Sequence, residues 1–462
     1  MTGLVTLVVG LAGVFLARRL LDRPSAPAGW TAAIVLGPAV SFGGLSLVYF
    51  YWRVGGLSVG SFRLLAWSLM IAALVVGVRT VLGPKEAAPP PAVTAQREPL
   101  VWALVLGAAI LMAAALVLYA RQLPHGRFDA FAIWTARARL LHLGDDLPTL
   151  FSLMSGAAHP DYPLLLPASL AAQFSMTGSL SAHIAQSTGA LFSFMAAAAV
   201  GLGVIRLGGD RRWAVLAAAL LLATPRFHYW GAAHCADVPL SYLWVVTVVA
   251  LATLVEGDRP LAPPVLAGFL LGLLGWTKNE GLPLTALLAA LFIVAALFRG
   301  RRSTLLPVFL GALPSWVAIA LLRRVWQPMT DLHFFVGDLF VRLTELERWQ
   351  TVAGAFADRL LPWKGLSHWG LVWLLAALVL ACSSAYSTAW TQPLRNARWT
   401  LACCWLAWFG IFVGTPVDLD WHIETALDRL LLQLLPLTLT VAFAGLSVSS
   451  SSSRSSPDPG PG

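Results

Sequence analysis

Long apolar runs separated by short polar or proline-rich segments make up most of the chain. A helix needs about 20 apolar residues to cross a bilayer, and the runs have about that length. We therefore predict an all-α polytopic membrane protein with about 13 transmembrane helices (11–13). The predicted spans lie near 3–17, 30–52, 64–78, 99–119, 180–205, 213–230, 238–255, 261–276, 281–298, 304–322, 366–383, 399–414 and 430–448.

The composition supports this class and excludes two others. Of the 462 residues, 58% are hydrophobic and only 11% are charged, whereas a soluble domain has roughly 25% charged residues. A soluble chain of this length would need more polar surface, and a disordered chain would need higher charge and lower hydrophobicity. The four cysteines show no metal-ligand spacing, so neither a disulfide framework nor a zinc site is indicated.

The charge distribution predicts an orientation in a cytoplasmic (plasma) membrane. Arg18, Arg19 and Arg23 follow the first span, which by the positive-inside rule places the N-terminus outside and the C-terminus inside. If the later loops alternate between the two sides from this start, the inner loops carry an excess of basic residues and the outer loops carry balanced charges. The net charge of +9 is thus explained by topology, and no nucleic-acid partner is expected.

The same map divides the chain into three parts. Residues 1–98 are expected to be an N-terminal transmembrane extension with a Pro/Ala-rich cytoplasmic linker. Residues 99–448 would form the functional transmembrane region, with interfacial helices in two long outer loops at 120–179 and 323–365. Residues 449–462 read as a disordered, Ser-rich cytoplasmic tail.

The first outer loop contains a carboxylate at the start of an amphipathic segment. Residues 129–142 can form an interfacial helix with Phe131, Trp134, Ala138 and Leu141 on one face. Asp129 would begin it, where backbone N–H groups stabilise a carboxylate. Asp129 is therefore either a helix cap or a general base or metal-binding carboxylate at the lipid surface.

A second candidate lies further along this loop. The segment His159-Pro160-Asp161-Tyr162-Pro163 predicts a rigid turn because of its two prolines. The turn would present three polar side chains above an apolar helix. Its alternative role is purely structural, as a turn that leads back into the membrane.

Two short outer turns add charged residues. Asp237 begins the seventh predicted span, where a helix cap is the simplest role. Lys278 and Glu280 lie between two apolar helices, where charged side chains are costly. They form either a mutual ion pair or, through Lys278, a contact to a phosphate group.

The last outer turn, residues 415–429, is rich in acidic residues and contains His422 and Arg429. Arg429 would lie at the membrane surface at the depth of a lipid phosphate. The simpler alternative is that it only extends its charged group toward water.

Together these segments resemble the GT-C glycosyltransferases, which use polyprenyl-phosphate-linked sugars; relatives include protein O-mannosyltransferases, aminoarabinose transferases of lipid A and the Rgt-type transferases. The ordered likeness covers residues 120 to about 440. It consists of Phe128-Asp129, Tyr162-Pro163-Leu164-Leu165-Leu166-Pro167, Asp237-Val238-Pro239-Leu240, Thr277-Lys278 with Gly281, and Asp428-Arg429-Leu430 with Gln433 and Pro436. Two features depart from that family: three extra spans precede the acidic loop, and Ala130 stands where a second acid is common.

The resemblance implies a membrane transferase that moves a sugar from a polyprenyl phosphate to an extracytoplasmic lipid, glycan or protein acceptor with inversion. Asp129 and Asp237 would be catalytic, with Asp129 as the base. Substrate-binding positions would be Lys278, Glu280, His159, Asp161, Tyr162, His422 and Arg429. No tightly bound cofactor is expected, although Asp129 and Asp237 could share a divalent cation.

Two other function classes remain open from the sequence. A transporter or lipid-linked-sugar flippase is the first, but Lys, Asp and Glu are absent from the predicted spans, which argues against ion coupling. The second is a non-catalytic scaffold whose outer loops bind a protein partner.

Overall fold

The computed structural model describes residues 2–21, 27–82, 99–154, 156–256, 260–328, 338–361, 369–386 and 390–446. Helices are the only regular structure in these residues. The linker at 83–98 and the tail at 449–462 lie outside them. Division of the chain at residue 98 stays a prediction.

Nineteen α-helices are described. They are α1 (Leu4–Leu20), α2 (Pro27–Val54), α3 (Val59–Leu82), α4 (Pro99–Gln122), α5 (Thr135–Leu143), α6 (Leu147–Ser152), α7 (Leu165–Thr177), α8 (Ala182–Arg206), α9 (Arg211–Leu222), α10 (Pro225–Gly231), α11 (Asp237–Glu256), α12 (Pro264–Thr277), α13 (Gly281–Phe298), α14 (Leu305–Leu321), α15 (Leu339–Thr344), α16 (Leu346–Leu360), α17 (Val372–Tyr386), α18 (Gln392–Gly414) and α19 (Leu419–Ala444). Short 3₁₀ turns occur at Gly156–Ala158 and Arg302–Thr304, and π turns at Ala130–Trp134 and Leu322–Trp326.

Nine helices of the described residues are long and apolar enough to cross a membrane: α2, α3, α4, α8, α11, α13, α14 with its flanking turns, α18 and α19. Shorter apolar helices include α12 and most of α17. The chain is thus an all-helical protein with the features of a multi-pass membrane protein. The count of thirteen spans and the orientation stay predictions.

The helices α11 and α19 form the centre of the bundle. All of the apolar window of α11 is buried, and it packs against α8, α12, α18 and α19. By contrast, α3 and α4 leave most of their apolar residues exposed, as expected for helices that face lipid.

The N-terminal helices pack directly against the later ones. Helix α2 is linked to α11 through the Tyr242 hydroxyl, which donates to the Val35 carbonyl oxygen over 2.5 Å. It is linked to α12 through the Trp276 indole, which donates to Ser46 Oγ over 2.7 Å. The helices before residue 98 therefore support the helices that carry the site.

The span predicted over 213–230 is wrong, because two helices occupy it. Helix α9 ends at Leu222, Thr224 has an extended backbone, and Pro225 starts α10. Proline disfavours a helical conformation of the preceding residue, which explains the break. Arg226 therefore lies on a short helix rather than within a span.

The interfacial helix predicted over 129–142 differs from the structure. A π turn at Ala130–Trp134 precedes α5, and the extra residue in this turn rotates the helix. Trp134, Ala138 and Leu141 are buried as predicted, but Phe131 is half exposed and contacts Phe128 instead.

The last predicted outer turn also differs. Helix α19 begins at Leu419, so most of residues 415–429 are helical rather than a loop. Asp418 caps this helix by accepting the Trp421 N–H over 2.9 Å, which explains the early start.

Candidate functional site

A buried carboxylate at the first turn of α11 organises the candidate site. Asp237 is fully buried. Its Oδ1 accepts hydrogen bonds from Lys278 Nζ at 3.1 Å and from Gln433 Nε2 at 2.9 Å. Its Oδ2 accepts from both Nε and Nη2 of Arg429, each at 3.1 Å. The side chain therefore joins α11, α12 and α19 and does not act as the helix cap considered above.

Arg429 connects Asp237 to the first long loop. Its Nη1 lies 2.7 Å from Asp129 Oδ2, while its Nε and Nη2 edge faces Asp237. The guanidinium also lies 5.6 Å from the centroid of the Trp230 ring. Gln433 follows one turn later on the same face of α19, so both residues reach Asp237.

Asp129 lies at the start of the π turn, but its side chain forms no capping hydrogen bond. Instead it pairs with Arg429, and 27% of its side-chain surface is exposed. A tight turn positions it: Gly126 has a φ of 75° and Arg127 donates its backbone N–H to the Ala233 carbonyl oxygen over 3.3 Å. Asp129 is thus an accessible carboxylate beside a buried ion pair.

Lys278 and Glu280 form the ion pair that was one of the two sequence-based alternatives. Lys278 Nζ lies 2.6 Å from Glu280 Oε1 as well as 3.1 Å from Asp237 Oδ1. The Lys278 side chain is only 2% exposed, against 25% for Glu280. Its ammonium is therefore enclosed by two carboxylates, and direct contact with a phosphate stays a prediction.

The turn at residues 159–163 forms one wall of the site. The rings of His159 and Tyr162 stack at 4.6 Å, and Lys278 Nζ lies 5.8 Å from the centroid of the Tyr162 ring. Asp161 Oδ2 accepts a hydrogen bond from Asn279 Nδ2 at 2.9 Å. Burial raises the pKa of Tyr162 well above its usual value, and the negative charge of the nearby Glu280 raises it further. Its hydroxyl therefore stays protonated.

Arg137 holds this turn in place through hydrogen bonds to its backbone. Its Nη1 donates to the Tyr162 carbonyl oxygen over 2.7 Å and to the His159 carbonyl oxygen over 3.3 Å. Burial lowers the pKa of Arg137 to about 9. The contact holds the backbone of the turn against α5.

The structure thus brings together most of the residues predicted from the sequence. One connected set of contacts contains Asp129, Tyr162, Asp237, Lys278, Glu280 and Arg429. Asp161, which bonds to Asn279, and His159, which stacks on Tyr162, lie beside it. We call these eight residues the carboxylate–cation cluster. His422 has other contacts, since its Nδ1 is 2.9 Å from Thr415 Oγ1 and its ring packs on Phe412.

A divalent cation shared by Asp129 and Asp237 does not fit this geometry. The guanidinium of Arg429 bonds to both carboxylates. The described residues contain no group of three or more His, Cys, Asp or Glu side chains that could hold a metal. We therefore derive no step through a metal ion.

Two residues of the site, Asn279 and Trp230, were not singled out from the sequence. Asn279 lies between the candidates Lys278 and Glu280, whereas Trp230 gave no signal of its own. Gln433 was named only as part of the family resemblance, although its position one turn after Arg429 also indicates it. Among the described residues, Asn279 Oδ1, Glu280 Oε2 and Gln433 Oε1 are buried without a hydrogen-bond partner. The site therefore retains polar capacity for a ligand.

Comparisons of the chain with protein-family models, curated proteins and solved structures gave no match.

Proposed function

We propose that the protein is an integral membrane glycosyltransferase that moves a sugar from a polyprenyl phosphate to an extracytoplasmic acceptor. The observation that carries the proposal is the contact between an accessible carboxylate, Asp129, and a guanidinium, Arg429, that a buried carboxylate orients. The likeness of this set of residues to the GT-C glycosyltransferases supplies the reaction class.

The reaction needs a base near a cation. The acceptor hydroxyl oxygen attacks the anomeric carbon, its proton passes to a carboxylate, and the bond from that carbon to the phosphate oxygen breaks. The electron pair leaves with the lipid phosphate, and the anomeric configuration is inverted. A positioned base contributes about 10²–10⁴-fold to such a step.

Asp129 has the accessibility that the base requires. It keeps 27% side-chain exposure, whereas Asp237 keeps 1% and bonds to several donors. We therefore assign proton removal to Asp129. The contacts of Asp237 with Lys278 and Arg429 are those of a positioning residue, which holds these two cations in place.

Arg429 would bind the phosphate with the edge that now faces Asp129. Asp237 fixes the Nε and Nη2 edge of the guanidinium, which leaves Nη1 toward the exposed side. A phosphate that pairs with Nη1 would release Asp129 to the acceptor. Arginine suits this task because its charge persists and its donors lie in one plane.

The test is transfer and lipid-phosphate release by membranes that contain the full chain. Membranes are supplied with radiolabelled polyprenyl-phosphate hexoses and pentoses, and both the labelled product and free polyprenyl phosphate are measured. We expect Asp129→Asn to lower turnover by at least about 100-fold. Asp145→Asn, in an exposed position of the same loop, is the matched control.

Equal turnover in Asp129→Asn and wild type would remove Asp129 as the base. Transbilayer movement of the labelled lipid with no release of polyprenyl phosphate would favour the flippase alternative instead.

A further inference from the structure

A second group of charged and aromatic residues lies beside the carboxylate–cation cluster. Its centre is Tyr229 on α10. The guanidinium of Arg127 lies 4.3 Å from the centroid of the Tyr229 ring, and that of Arg226 lies 5.0 Å from it. The same ring contacts Trp230 at 5.3 Å, and Trp230 in turn contacts Arg429.

The group has more positive than negative charge. Arg226 and Arg359 both pair with Asp428, the second across 3.3 Å. Arg127 forms no ion pair within the described residues and is exposed. The group therefore contains three guanidinium groups and one carboxylate, Asp428. This excess of positive charge would attract an anion.

Two buried donors of this group point to a missing acceptor. Arg226 Nε and Trp230 Nε1 are buried and have no hydrogen-bond partner among the described residues. A buried N–H without an acceptor costs about 1–3 kcal/mol. An anionic oxygen placed between Arg127 and Arg226 could accept from such donors.

The position of the group favours a lipid as the source of that anion. Tyr119, near the end of α4, packs edge-on against Tyr229 at 6.1 Å. The two residues before it, Val117 and Leu118, are exposed apolar side chains, and α4 is the least buried of the nine described helices that could cross a membrane. Tyrosine and arginine at the end of a lipid-facing helix lie at headgroup depth.

We propose that Arg127 and Arg226, which both lie on the Tyr229 ring, bind the phosphate group of an anionic lipid headgroup, with Arg359 joined to them through Asp428. The site adjoins the carboxylate–cation cluster through Trp230. The proposal does not depend on glycosyl transfer, because it rests only on the contacts and unpaired donors around Tyr229.

The test measures lipid binding to the full-length protein in detergent by native mass spectrometry. Phosphatidic acid is the probe, phosphatidylcholine is the reference lipid, and inorganic phosphate is added in a separate arm. We expect phosphatidic acid to bind at least about tenfold tighter than phosphatidylcholine. Arg127→Gln and Arg226→Gln should each weaken it about tenfold, the loss expected for one charge-assisted hydrogen bond.

Two variants keep the test decisive. Arg121→Gln, exposed at the end of α4, removes a nearby charge from outside the group and should leave binding unchanged. Arg226→Lys keeps the charge beside Asp428 and should restore part of the affinity. Arg127 has no ion pair to lose, so its variant is expected to fold even where Arg226→Gln does not.

Unchanged phosphatidic acid binding in Arg127→Gln and Arg226→Gln would overturn the site. An equal loss in Arg121→Gln would also overturn it, because general surface charge would then explain binding. Inorganic phosphate that binds as tightly as phosphatidic acid would overturn the assignment to a lipid headgroup.

Discussion

Arg429 Nη1 lies 2.7 Å from Asp129 Oδ2, although the two residues are 300 positions apart in the chain. The pair joins the first long loop to α19, and the opposite edge of the same guanidinium bonds to Asp237. In this arrangement the proposed base, Asp129, is already paired with Arg429, the residue proposed to bind the phosphate. The anionic donor would therefore have to bind before Asp129 becomes available, which predicts ordered binding with the donor first.

The first prediction concerns the shape of the cation. Arg429→Lys keeps the charge, but a single ammonium cannot bond to Asp129 and to Asp237 from two edges of one plane. We expect turnover to fall at least about tenfold, with a smaller loss of thermal stability than in Arg429→Ala. Lipid-phosphate release and thermal unfolding measure the two effects. Full turnover in Arg429→Lys would show that charge alone suffices.

The second prediction concerns the buried carboxylate. Asp237→Asn removes the charge that balances Lys278 and Arg429, and breaking a buried pair costs about 3–5 kcal/mol. We expect a large fall in the thermal unfolding temperature of the detergent-solubilised protein. Asp145→Asn makes the same chemical change at an exposed position and should have little effect. Equal unfolding temperatures for the two variants would contradict the central role of Asp237.

The apolar pattern predicted most helices because length and composition decide whether a helix can span a bilayer. Its error at 213–230 had a signal in the sequence, namely Pro225 after Thr224. The π turn before α5 had none, because inserting one residue into a helix depends on what packs around it. This turn places Phe131 outside the buried face.

The residues of the site were also predictable only in part. The sequence analysis selected charged residues that lie at the predicted outer ends of the spans. Four of them, Asp129, Asp237, Lys278 and Arg429, are together in the structure. Which carboxylate pairs with which cation could not be predicted, since pairing depends on helix rotation and on turns between distant segments. Their catalytic and binding roles stay predictions.

The third prediction concerns the turn that carries Lys278. A Cβ added to Gly281 would lie 2.0 Å from the Leu274 carbonyl oxygen, so α12 and α13 meet too closely there for any side chain. Gly281→Ala should therefore destabilise the protein by about 1–3 kcal/mol and disturb the contact between Lys278 and Asp237. Gly107→Ala is the matched control, because a Cβ there meets nothing within 4 Å. It should stabilise α4 by about 0.5–1 kcal/mol, as thermal unfolding can show.

The last prediction concerns pH. Burial, together with a smaller effect of the nearby His125, lowers the pKa of His234 to about 4. In the unfolded chain the pKa of a histidine is about 6.5. Between these values the folded state binds fewer protons, so its stability falls as pH drops from about 6.5 to about 4, by up to about 3 kcal/mol. His234 has a φ of 57°, a conformation that asparagine tolerates. His234→Asn should therefore fold and lose this part of the pH dependence of thermal unfolding, whereas His183→Asn, at an exposed position, should retain it. The same slope in all three proteins would show that His234 is not the titrating group.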